Sequence, residues 1–295
     1  METSRLDLVL PRLRCPVCSD ELAREERTVR CARRHSFDVA RQGYLTLLGG
    51  GRPPVQGDTA DMVAARAAFL GAGRYAPIAE SLARTVRALP AVAADPASGA
   101  AAPLVVDLAG GTGYYLAAVL DAVPHAVGLD VELSPYAARR AARAHPRLAA
   151  VRADVWQPLP LATGSAAAVL SVFGPRNPTE IARVLAPEGR LVVVAPEQDH
   201  LAEIVGPLGM LAVAPDKDER LARQLSDFTV VEERTVRYSA PMNREDVTHE
   251  ALMGPSAHHV DPDELATAVA ALPQPLDVTV AVTVSVHGPR RDRTD

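Results

Sequence analysis

Three cysteines and one histidine constrain this chain most tightly. Cys15, Cys18, Cys31 and His35 follow the spacing C-x2-C-x12-C-x3-H, and the three thiols are all that the chain contains. Thiolates and a neutral imidazole suit zinc, and four such ligands complete a tetrahedron with no position left for a substrate water, so the metal is predicted to be structural. Cys15-Pro16-Val17-Cys18 reads as one knuckle and Cys31-Ala32-Arg33-Arg34-His35 as the second, with a short hairpin between them. A disulfide plus a spare thiol is the other reading. The clustering of all three thiols in one stretch, without secretory context, argues against it.

At 295 residues and 48% hydrophobic composition, the chain is long enough for one large core and a small appendage. No apolar run approaches the roughly 18 to 20 residues that cross a bilayer, and Met1 to Arg14 lack a signal-peptide core, so a cytoplasmic protein with no membrane partner is expected. Residues 1–52 hold ten arginines against seven acidic residues, a local charge of +3 that leaves −8 for the remainder. A basic head on an acidic body fits a nucleic-acid reader, because phosphate affinity needs only a local patch. Arg30, Arg33 and Arg34 flank the second knuckle. From charge alone, a solvated surface explains them equally well.

The pattern divides the chain into a zinc-binding recognition module over 1–48, a linker and helical connector over 49–103, and an α/β domain over 104–295. Gly49-Gly50-Gly51-Arg52-Pro53-Pro54 breaks any regular element and reads as a linker. Helices are predicted from Asp58 to Leu70 and from Tyr75 to Leu89, and residues 91–103 as a loop. Strands are then predicted over Leu104–Leu108, His125–Asp130, Leu148–Arg152, Ala166–Phe173 and Arg190–Ala195. They alternate with helices over Tyr114–Ala122, from Ser134-Pro135, and over Pro178–Leu185. That alternation implies a Rossmann-like parallel sheet covered by helices on both faces, with a final antiparallel strand over Leu276–Val286.

Asp107-Leu108-Ala109-Gly110-Gly111-Thr112-Gly113 places glycines where the first strand turns into a helix, so a ligand can lie against bare backbone. The spacing is not that of a dinucleotide-binding G-x-G-x-x-G. Asp130, taken as the end of the second strand, is predicted to accept from a ribose diol. Asp154, after the third strand, is predicted to lie beside an adenine covered by Val155 or Trp156. The ordered set Asp107, Gly111, Gly113, Asp130 and Asp154 resembles a class I S-adenosylmethionine-dependent methyltransferase.

The zinc quartet, the stretch His35 to Leu48, Gly57-Asp58-Thr59-Ala60-Asp61-Met62 through Tyr75-Ala76-Pro77, Phe173-Gly174-Pro175-Arg176-Asn177-Pro178, Pro196 to Leu201 and Met253-Gly254-Pro255-Ser256 together resemble the RlmA-type 23S rRNA guanine-N1 methyltransferases. The resemblance spans nearly the whole chain and is nearest to the macrolide-resistance branch. It implies zinc at Cys15, Cys18, Cys31 and His35, cofactor contacts by Tyr75, Gly111, Thr112 and His200, 23S rRNA as substrate, and a homodimer. Where many members carry a cysteine and an acidic residue in the glycine turn, this chain has Gly110 and Thr112. Loss of a carboxylate near a positive sulfonium is expected to lower affinity.

Phe173 to Pro178 is expected to border the pocket, with Arg176 and Asn177 at most positioning the base. No general base can be named from the sequence. A housekeeping rRNA modifier, a small-molecule methyltransferase whose zinc head is a lid, and a binding protein with a degenerate pocket remain the alternatives.

Overall fold

The computed structural model describes residues 4–49, 57–93, 101–254, 257 and 261–290. Most of the expected glycine-proline linker, the middle of the 91–103 loop and Pro255-Ser256 lie outside the described residues. Two short 3-10 turns, Arg5–Leu8 and Leu10–Arg12, lead into β1 (Leu22–Glu25), β2 (Thr28–Cys31), β3 (Ser36–Asp38) and β4 (Leu45–Thr46). The connector follows as α1 (Ala60–Gly71), α2 (Ala76–Arg87) and α3 (Pro90–Ala93). Alternation then begins with β5 (Leu104–Leu108), α4 (Tyr114–Ala122), β6 (Val127–Glu132), α5 (Pro135–Ala144), β7 (Leu148–Arg152), β8 (Ala166–Val172), α6 (Pro178–Val184) and β9 (Leu185–Pro196). The carboxyl-terminal part adds α7 (Ala202–Val205), α8 (Lys217–Gln224), β10 (Phe228–Met242), α9 (Arg244–Met253), α10 (Pro262–Ala271) and β11 (Leu276–Pro289).

Eight strands form one mixed sheet in the order β10-β11-β9-β8-β5-β6-β7-β4, and β1 to β3 form a separate antiparallel sheet. Strands β4, β7, β6, β5, β8 and β9 are parallel, whereas β11 pairs antiparallel with β9 and β10. The order reverses between β5 and its two neighbours, and a crevice opens at the carboxyl ends of strands beside such a reversal.

Alternation along the strands divides two apolar layers. Val105, Leu148 and Leu170 point toward α1, α2 and α4, packing with Phe69, Leu82 and Leu116. Val106, Leu129 and Val151 point the other way, where helices on both faces were expected. There α6 and α8 cover part of the sheet, and the amino-terminal segment covers the rest with Leu6, Val9, Leu13, Leu45 and Leu47. Backbone bonds from Arg14 N to Pro160 O (3.0 Å) and from Ala162 N to Arg12 O (2.8 Å) tie this segment to the sheet domain.

Local signals set the helix starts. Thr59 caps α1 by accepting from Met62 N, and Ser134 caps α5 by accepting from Ala137 N with Pro135 in the first turn. Pro187-Glu188-Gly189, expected to separate helix from strand, instead lies within β9 as a looped-out step: Leu185 pairs with Ala166, and pairing resumes at Arg190 with Ala168.

Candidate functional site

The four metal-ligating atoms of Cys15, Cys18, Cys31 and His35 all lie within 4.8 Å of one another. Cys18 Sγ is 3.7 Å from Cys31 Sγ, and His35 Nδ1 is 3.3 Å from Cys31 Sγ and 3.5 Å from Cys15 Sγ. A disulfide needs about 2.05 Å. A tetrahedron built on zinc–sulfur bonds of about 2.3 Å has edges of roughly 3.8 Å, so the donor set fits zinc in both chemistry and spacing. Ser19 N bonds to Cys15 O and Arg34 N to Cys31 O, and the left-handed backbone at Ser19 and Arg34 turns each knuckle back on itself.

At the carboxyl ends of β5, β6 and β8 lies a cavity of about 510 Å³, the size of a typical small-molecule site. Of the predicted cofactor residues, Tyr75, Asp107, Gly111, Asp154 and His200 line it. Gly111 N donates to Glu132 Oε2 (3.0 Å) and Ser134 N to Glu132 Oε1 (2.8 Å), which fixes the glycine turn against the end of β6. Asp154 Oδ1 accepts from Trp156 N (3.0 Å), and the half-exposed Trp156 ring borders the cavity.

Three predicted positions lie elsewhere. Asp130 is not at the strand end: β6 runs on to Glu132, and Asp130 is fully buried opposite Asp107 behind Gly110. Glu132 holds the place assigned to Asp130. The Ser134-Pro135 cap carried this signal, since a helix starting there leaves room for two more strand residues. Thr112 lines a neighbouring groove between α2 and α5, so the departure at this position removes nothing from the cavity wall. Gly113 serves helix packing, because a Cβ there would lie 3.1 Å from Ala141 Cα. Arg176 turns away to Gln224, and Asn177 caps α6 by accepting from Glu180 N, so neither lines the cavity although Phe173, Gly174 and Pro175 do.

At one end of the cavity Tyr75, Phe173 and His200, all named from the sequence, meet Tyr115 and Glu250, which the sequence reading missed. His200 Nδ1 accepts from Ala281 N (3.2 Å), which leaves the ring proton on Nε2, 3.2 Å from the Tyr75 hydroxyl. Tyr75 in turn donates to Glu250 Oε1 (3.2 Å). Burial pushes His200 down to about 4, so its ring is neutral at physiological pH, and burial lifts the Glu250 carboxyl to about 7.

Asp107 and Asp130 have no hydrogen-bond partner on either carboxylate oxygen among the described residues. Burial first, and then Glu132, lifts Asp107 to about 8; burial, Asp107 and Glu132 lift Asp130 well above the carboxylate range. A raised native pKa means that the fold holds protons the unfolded chain sheds near pH 4. The stabilisation is therefore full below about pH 4 and is lost as pH rises through about 8. Asp130→Asn is expected to melt increasingly above wild type between about pH 5.5 and 8.5 in ligand-free thermal scans. A constant gap across that range would mean the two carboxyls do not share this buried site.

A family model described as the RlmA amino-terminal zinc ribbon matches residues 13–57. A Streptomyces fradiae protein named 23S rRNA (guanine(748)-N(1))-methyltransferase is 50% identical over 95% of this chain and 98% of its own length. A Micromonospora griseorubida protein, provisionally named a 23S rRNA (guanine-N(1)-)-methyltransferase, is 48% identical over 95% of this chain and 98% of its own length. A similarly named protein of Bacillus subtilis (strain 168) is 30% identical over 65% of this chain and 66% of its own. With the zinc quartet assembled and the glycine turn closing a cavity at the strand ends, this near full-length identity makes the chain a member of the RlmA-type 23S rRNA (guanine-N1)-methyltransferase family.

Proposed function

We propose that the protein methylates N1 of a guanosine in a hairpin loop of 23S rRNA and thereby confers resistance to tylosin-like macrolides. The carrying observation is the 50% identity, over 95% of the chain, to the Streptomyces fradiae protein named for N1 methylation. S-adenosylmethionine supplies the electrophilic methyl group when bound. Tyr75, Asp107, Gly111, Asp154 and His200 are its contacts in this reading, and Glu132 takes the ribose role.

Guanine N1 carries a proton and lies inside a Watson–Crick pair, so the base must be unpaired or extruded to enter the cavity. Cationic surface for the surrounding RNA exists at two places. On the zinc module Arg30 pairs with Glu25 and Arg33 with Asp20, while Arg34 and Arg41 are exposed without an ion pair to a described residue. The groove between α2 and α5 adds Arg87, Arg139, Arg140 and Arg143, exposed and likewise free of ion pairs to described residues. No helix among the described residues is long and apolar enough to cross a membrane. A cytoplasmic homodimer completes the proposal; sedimentation as a monomer would remove the dimer and leave the chemistry.

The test is incubation of 23S rRNA fragments with tritiated cofactor, followed by primer extension and nucleoside mass spectrometry. A stop at one loop guanosine with the label on N1 is the expected result. Label on N2, N7 or ribose refutes the chemistry, whereas N1 methylation with unchanged macrolide sensitivity in a susceptible host refutes only the resistance role.

A further inference from the structure

Glu250 belongs to none of the motifs that mark the family in the sequence, yet it is the acidic group most open to a ligand at the aromatic end of the cavity. It lies on α9 and is 7% exposed; Oε1 accepts from Tyr75, and Oε2 is buried without a partner among the described residues. The Tyr115 hydroxyl beside it is also unpartnered. Tyr75, Tyr115, Phe173 and His200 ring this end, with Tyr75, Phe173 and His200 separated by centroid distances of 5.9 to 6.0 Å and Tyr115 lying 6.4 Å from Phe173. All five side chains line the same cavity as Gly111.

Among the described acidic groups lining the cavity, Glu250 is the one hydrogen-bonded to the aromatic cluster, whereas Asp107, although unpartnered, lies under the glycine turn and Asp154 accepts from Trp156 N. Both oxygens of Glu132 accept backbone N–H groups, and Asp107 sits behind Gly110 against Asp130. Arg66 pairs with Asp58 and donates to Met253 O. His200 is neutral and spends Nδ1 on Ala281 N. A buried acid suits a cation, and the π faces that ring this one can surround a cation that donates no hydrogen bonds. A sulfonium is such a cation. The cofactor's ammonium group, by contrast, is a donor and persists unchanged after methyl transfer.

We propose that Glu250 is the counter-charge to the cofactor's sulfonium, so that it favours the charged S-adenosylmethionine over the neutral S-adenosylhomocysteine left after transfer. The inference rests on the methyl-transfer reading of the cavity.

Calorimetric titration of the full zinc-loaded chain with each of the two compounds tests the assignment. Glu250→Gln is expected to weaken S-adenosylmethionine binding by about tenfold or more, and S-adenosylhomocysteine binding by no more than about twofold. Glu250→Leu removes the same charge with an apolar side chain, keeps the test open if the glutamine variant fails to fold, and is expected to move the ratio the same way. Equal weakening of both ligands would assign Glu250 to the ammonium or to the fold, and unchanged binding of both would place it away from the cofactor. Either result overturns the proposal. If the wild-type chain binds neither compound, the methyl-transfer reading itself falls.

Discussion

Cys31→Ser is expected to lower the melting temperature of the whole chain by about 10 °C or more, and chelation of the wild-type protein to do the same. In a protein of this size ~1 kcal/mol moves the midpoint by roughly 2–4 °C, and a structural zinc contributes several times that. The reason lies in the packing. Strands β1 to β3 are only three or four residues long and cannot hold themselves together without the metal. Cys15 and Cys31 are buried among Leu6, Leu13, Leu22 and Val29, in the same apolar layer as Val106, Leu129 and Val151 of the main sheet. Losing the zinc should therefore uncover one face of the methyltransferase sheet. Calorimetry with metal analysis checks this, and a metal-free chain melting in one transition at the wild-type temperature would refute it.

Punctuation was legible in the sequence wherever one residue type has a single physical use. Ser134-Pro135 can open a helix and do little else, and three thiols with one imidazole at knuckle spacing have few partners besides a metal. The glycine turn was legible for the same reason, although which glycine faces the ligand was not. Gly111 and Gly113 have similar positive φ values of +65° and +77°, and only the tertiary neighbour distinguishes them: Arg66 at the cavity for one, Ala141 of α5 for the other. Elements held by long-range pairing were hidden. β4 is two residues of Leu45-Thr46 that become a strand by docking beside β7. β10 carries Glu232, Glu233, Arg234 and Arg237 on a sheet edge, where charge protects against further pairing and masks the apolar alternation. Glu250 had no local signal, because its importance comes from Tyr75, a residue 175 positions away.

Gly110→Ala is expected to destabilise this chain by about 1–3 kcal/mol and to weaken cofactor binding, through contact rather than backbone strain, and a relative with cysteine at this position must seat the carboxyls beneath it differently. An ideal Cβ on Gly110 would fall 2.7 Å from an Asp107 carboxylate oxygen and nearer still to one of Asp130. Asp107 and Asp130 face each other in register on β5 and β6, and both are completely buried. The added methyl therefore turns a carboxyl aside, spreads the two central strands or lifts the turn, and lifting the turn breaks the bond from Gly111 N to Glu132 that shapes the cavity floor. Gly164→Ala is the matched control, because its φ is +68° with nothing within 4 Å of the new Cβ. It should cost only the backbone term of roughly 1 kcal/mol and leave cofactor binding intact. Denaturant unfolding and calorimetric titration of the two variants side by side separate contact from strain. If Gly110→Ala were as stable as Gly164→Ala and still bound cofactor, the two aspartates could not be packed beneath the turn.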